Sequence, residues 1–179
     1  MNLNELRDEA YSIAKANGWH EEEHSDEHCL MLVITEIAEA VQADRENLHA
    51  DVEAFKKYEM VLDFKENFER QIKNTVEDEL SDVVIRCLDL AGLRGIDFRY
   101  ADILLSEGVR EVQIPFPELM YLACEEITYH GYDLTEKLNA LVAGIIAYCN
   151  QKGIDLDFFI RTKMKYNRLR GYHHGGKKY

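Results

Sequence analysis

Proline is nearly absent from this chain, 2 in 179 residues, and glycine is sparse at 10. So few breakers leave room for long uninterrupted elements, and the apolar residues recur at helical spacing over most of the length. The four cysteines (Cys29, Cys87, Cys124, Cys149) are widely spaced, each inside an apolar run, with no CxxC pair. That excludes a disulfide framework or a thiolate zinc site and leaves buried thiols. No stretch approaches the roughly 20 consecutive apolar residues of a membrane span. The first ten residues, MNLNELRDEA, lack the apolar centre of a signal peptide, so the expectation is a cytoplasmic protein. Positive charge is short too. There are 21 Lys and Arg against 34 Asp and Glu, a net charge of −13.

That shortage is uneven. Seven of the 21 basic residues fall in 161–179, which holds no acid, and taking them away leaves 14 basic against 34 acidic residues before it. A strongly acidic body argues against binding a nucleic-acid backbone, which favours basic faces. An acidic body with one basic end suits a metal together with a small phosphorylated ligand, although a solvated surface gives the same balance.

Apolar residues make up 46% of the chain, enough for a packed core, and the length suits one domain. The pattern predicts an all-α protein, an antiparallel helical bundle. Helices are expected over 4–17, with Leu6, Ala10, Ile13 and Ala14 on one stripe, and over 28–44 behind a Ser25 cap. A third is expected over 68–94, closed by Gly95, and a further piece over 96–107. Others follow at 118–130, 134–151 and 156–169. Residues 46–70, charged and aromatic, read as a loop or short helices on the surface. Residues 108–117 interrupt the pattern with both prolines and a β-branched run, Val112 to Ile114. The domain reading is therefore one unit over 1–170, with 99–152 as a helical insertion, and a mobile basic tail over 171–179. Short echoes link the two halves: Leu30-Met31 with Glu36 returns as Leu119-Met120 with Glu125, and Gly95-Ile96-Asp97 as Gly153-Ile154-Asp155. A repeat of this kind would be degenerate, because Glu39, Glu79 and Asp82 would map to Thr128, Lys137 and Ala140.

The chemistry sits in the acids of two helices. Glu36 and Glu39 lie three apart among Leu32, Val33 and Ala40, so they project about 60° from one another on a largely apolar face. Glu79 and Asp82 repeat the spacing beside Leu80, Val83 and Val84. Carboxylates on the apolar side of a helix need compensation. Two such pairs converging would make an oxygen-lined pocket for a hard cation, Mg2+ or Mn2+. Surface salt bridges are the simpler account of either pair alone. A di-iron bundle would need a histidine three residues after an acid, and Gln42 and Ile85 stand there instead. In the last helix Lys163, Asn167 and Arg170 share one stripe and could meet phosphates. Trp19, His20 and His28 flank the second helix; Trp19 reads first as a core anchor and second as a stacking surface for a base. His24 and His28 read as part of a solvated turn.

Glu36-x-x-Glu39, Glu79-x-x-Asp82 and Lys163-x-x-x-Asn167, in that order and followed by a Gly/His/Lys-rich ending, resemble the MazG-like all-α NTP pyrophosphatase superfamily. The resemblance covers about 28–97 and 153–178. The long segment 46–70 and the insertion 99–152 depart from the simplest members, and the insertion is similar to the duplicated arrangement of the related dimeric dUTPases. The resemblance implies Mg2+-dependent hydrolysis of a (d)NTP to (d)NMP and pyrophosphate, with Glu36, Glu39, Glu79 and Asp82 holding the metal. It implies that Lys163, Asn167 and Arg170 bind the outer phosphates, that Lys177 and Lys178 close over them, and that the chain forms a homodimer or higher homo-oligomer. A member specific for dUTP or dCTP and a non-catalytic nucleotide-binding bundle are the alternatives.

Overall fold

The computed structural model describes residues 1–99 and 114–173. Among them are eight helices and no strand: α1 Leu3–Ala16, α2 Asp26–Arg45, α3 Val52–Tyr58, α4 Phe64–Gln71, α5 Val76–Arg94, α6 Phe116–Thr128, α7 Leu134–Lys152 and α8 Leu156–Leu169. No helix among the described residues is long and apolar enough to cross a membrane. The all-α expectation holds.

α5 is the axis of the fold. It is apolar around most of its circumference, with Leu80, Val83, Val84, Cys87, Leu88 and Ala91 all buried, and it packs on α1, α2, α7 and α8. A helix apolar on so many sides can only be an interior helix. α1 and α2 both run antiparallel to it: Arg7 and Asn4 reach Ile96 and Phe98, while Arg94 meets Asp26 and Arg86 meets Glu36. α1 crosses α5 closely at Gly92, where a Cβ would lie 2.6 Å from Tyr11 Cβ. The helix ends obey local chemistry. Ser25 accepts from the His28 N–H, Asp133 and Glu136 form a reciprocal capping box, and Gly95 and Gly153 close α5 and α7 in the left-handed conformation.

Three differences from the sequence reading have physical causes. The helix expected over 68–94 is two helices. Asn74 adopts φ 62° and Thr75 caps α5 by accepting from the Asp78 N–H, so the chain breaks and restarts. Residues 46–70 are not only surface: Phe55 and Phe68 are buried with Ile72, Phe159 and Tyr166 in a second, aromatic core beneath α8. From the segment 99–152, α6 and α7 contribute to the main core, where Met120, Ile127, Leu138 and Leu141 pack in the same cluster as Leu80 and Leu88. Of the helix expected over 96–107, residues 96–99 are not helical and the rest lie outside the described residues, as do Val112 and Gln113. All four cysteines are free thiols.

Candidate functional site: an acid-lined cleft

Between α1, α2, α5 and α8 lies a cleft of about 320 Å³, lined by all seven residues singled out from the sequence: Glu36, Glu39, Glu79, Asp82, Lys163, Asn167 and Arg170. Its acidic wall is built by α2 and α5. Glu36, Glu39 and Glu79 each bring a carboxylate oxygen within 4.8 Å of the other two. Glu36 and Glu79 are buried, whereas Glu39 is exposed at the mouth.

The apolar helix faces explain the electrostatics. Burial, and then the negative charge of Asp82, push the Glu79 carboxyl up to about 8, with the more distant Lys163 opposing. Burial and Asp82 likewise raise Glu36, against the guanidinium of Arg86, whose Nε donates to Glu36 Oε1 at 3.0 Å. Acids this close raise one another because like charges in a poorly solvated site cannot all ionise cheaply.

Asp82 stands apart from that trio. Its Oδ2 is 2.7 Å from Lys163 Nζ, which also donates to Asp78 Oδ1 and Oδ2 at 2.9 and 2.8 Å. Burial alone would lower the Lys163 pKa, but Asp82 and Asp78 outweigh it and raise it, so the ammonium stays charged. Lys163 is 5% exposed and sits over the Phe68 ring at 5.6 Å. This changes its reading. With all three N–H donors occupied by carboxylates, Lys163 organises the acids and is not available to outer phosphates.

The rest of the lining includes polar and basic side chains. Arg170, over the Tyr166 ring, makes no ion pair among the described residues, and neither does Lys73. Asn167 Oδ1 is buried without a hydrogen-bond partner. An unsatisfied polar atom on a residue that lines a cleft marks a place where a polar ligand would complete the bonding.

A second cavity of about 360 Å³ adjoins the cleft and shares Trp19, Arg86 and Asp89 with it; Leu32, Leu90 and Leu93 give it an apolar side. At their junction His20 Nε2 lies 2.7 Å from Asp89 Oδ1. Trp19 is half-buried and stacks on His173, so it is not a plain core anchor. His24 and His28 lie ring on ring, centroids 4.3 Å apart, on the wall of this cavity. Within the tail expected to be mobile, His173 stacks on Trp19 and Tyr172 on His173; Lys177 and Lys178 lie outside the described residues.

Sequence reasoning missed Asp78, Lys73 and Arg86. Asp78 was legible as the residue after Thr75 at capping distance, Thr75-x-x-Asp78, and as one turn before Asp82 on α5. Lys73 follows α4 in a turn, where no periodicity places a side chain.

The fold and cleft define an all-α protein with a carboxylate trio and cationic side chains lining one cleft. No protein-family model, curated protein or solved structure matches the chain.

Proposed function

We propose that this protein is a divalent-cation-dependent nucleoside triphosphate pyrophosphohydrolase, releasing pyrophosphate and a nucleoside monophosphate. The observation that carries the reading is the meeting of Glu36, Glu39 and Glu79 within 4.8 Å in a cleft that Arg170 and Lys73 also line. An oxygen-only donor set of this kind suits Mg2+ or Mn2+ and not a soft metal. Burial and then the charge of Asp82 raise the Glu79 carboxyl, and a bound cation would offset both, so the residues present fit such an ion. Glu36, Glu39 and Glu79 would hold it, with Asp82 at the edge. A bound ion would supply neutralisation of triphosphate charge and a more acidic water.

The chain's own groups do the rest. Arg170 and Lys73 bind the outer phosphates by charge, and the Asn167 amide fixes one oxygen by a directional bond. A carboxylate of the trio accepts the proton of the attacking water. The new bond joins that water oxygen to the α-phosphorus, the α–β anhydride bond breaks, and pyrophosphate leaves. The neighbouring cavity, with Trp19 at its edge and Leu32 and Leu90 in its wall, accommodates the nucleoside. The motif resemblance supports the same reaction, and the outward-facing Tyr121 and Leu122 of α6 are compatible with the homodimer it implies.

The test is a pyrophosphate-release assay over all NTPs and dNTPs with Mg2+, which also separates a dUTP- or dCTP-specific enzyme from a broad one. Glu79→Gln is expected to abolish release with helical content unchanged. Nucleotide binding without release would leave the non-catalytic bundle as the better account.

A further inference from the structure

Asp78 is the most deeply buried acid near the cleft, 0% exposed, yet it does not line it. It lies one helical turn before Asp82 on α5, so the two carboxylates face the same side and meet the same ammonium. Asp78 takes two of the Lys163 N–H donors, at 2.9 and 2.8 Å, and Asp82 takes the third through Oδ2 at 2.7 Å. Asp78 is itself fixed from two sides. Its Oδ2 accepts the Asn74 N–H at 3.0 Å, and its own N–H is capped by Thr75 Oγ1 at 3.3 Å. The break between α4 and α5 is thus what holds it.

We infer that Asp78 is a positioning residue for the acid trio: by occupying two donors of Lys163 it confines the ammonium to one oxygen of Asp82 and keeps that charge from moving onto the trio. This rests on the divalent-ion reading of Glu36, Glu39 and Glu79. An ammonium has three N–H groups and no acceptor, so a donor released by Asp78 must find another oxygen. The second oxygen of Asp82 and the carboxylate of Glu79, which already feels the charge of Lys163, are the candidates that line the same cleft. A lysine that leans toward the trio competes with a cation for the same carboxylates. Asp78 therefore acts on the trio chiefly through Lys163, beside a smaller direct effect of its charge on Glu79, which distinguishes it from a residue that merely packs.

The experiment is a double-mutant cycle read by Mn2+ binding alone, followed by electron paramagnetic resonance, with circular dichroism to confirm folding. Asp78→Asn keeps the shape and removes the charge. It is expected to weaken Mn2+ binding about tenfold, as loss of an outer partner typically does. In a Lys163→Met background the same change is expected to have a much smaller effect, because the competing ammonium is gone and only the direct charge effect of Asp78 on Glu79 is left. Unchanged affinity in Asp78→Asn, or an equal fold loss from Asp78→Asn in the Lys163→Met background, overturns the inference. Should Asp78→Asn alone lose helicity, the comparison within the Lys163→Met background still decides, a loss well below about tenfold supporting the inference and one of about tenfold overturning it. Absence of Mn2+ binding by the unaltered protein is a different result: it removes the divalent-ion reading itself, and this role with it.

Discussion

The imidazole of His173 lies parallel to the indole of Trp19, ring centroids 4.8 Å apart and planes 3° from coplanar. Tyr172 stacks on the other side of His173, and its hydroxyl donates to Glu21 at 2.7 Å. The His173 N–H donates to the Asn17 carbonyl, and Gly18, at φ +87°, leaves no room for a side chain: a Cβ would lie 2.4 Å from Tyr172 Cε2. Gly18→Ala is therefore expected to expel this aromatic stack and to destabilise the fold by about 1–3 kcal/mol. The chain has 1 tryptophan, so its fluorescence reports the change directly. A red shift is expected in Gly18→Ala and also in His173→Ala. An unshifted spectrum in both would show that Trp19 is not covered by the tail.

Glu79 sets a pH dependence whose sign follows from its carboxyl, raised from 4.5 to about 8. Between those values the folded protein retains a proton that the unfolded chain has already lost. Stability from this group is thus lost as pH rises across that window, by a few kcal/mol at most. In chelator-treated protein, Glu79→Gln is expected to gain stability over the unaltered chain as pH climbs from 5 to 8, measured by urea unfolding. A pH-independent difference would contradict the burial assigned to Glu79.

Arg170 offers a cleaner probe of the cleft's basic lining than Lys163, because it has no ion pair to break among the described residues. Arg170→Ala is expected to raise KM for a triphosphate about tenfold or more, the size of a lost charged hydrogen bond, with stability nearly unchanged. Steady-state kinetics and a thermal melt check both halves. A fall in kcat with KM unmoved would place Arg170 elsewhere in the reaction.

Phe68 tests the second core. It is fully buried, stacks on Tyr166 at 4.3 Å and lies beneath Lys163. Phe68→Ala is expected to cost about 3–5 kcal/mol in urea unfolding. A loss below about 1 kcal/mol would mean that α3 and α4 are dispensable to the packing.

Much of this arrangement was legible in the sequence because helical period and caps are local. The span of α8 and the Ser25 and Gly153 boundaries followed from them, and three-residue spacing put Glu36 with Glu39 and Glu79 with Asp82. What was not legible depends on partners far along the chain. Lys163 on a helical stripe looks the same whether it faces phosphate or a carboxylate 85 residues away, and only the packing of α8 on α5 decides. Trp19 likewise has no local sign of its stacking partner 154 positions later, His173. The break at Asn74 was missed because the flanking apolar pattern continues in phase while the backbone does not.

The most direct test of the hydrolase account is hydrolysis of the preferred nucleoside triphosphate in oxygen-18 water with Mg2+, followed by phosphorus NMR. The label is expected in the nucleoside monophosphate, with pyrophosphate unlabelled and formed in equal amount. Orthophosphate as the first product, label in the pyrophosphate, or no turnover of any nucleotide would contradict it.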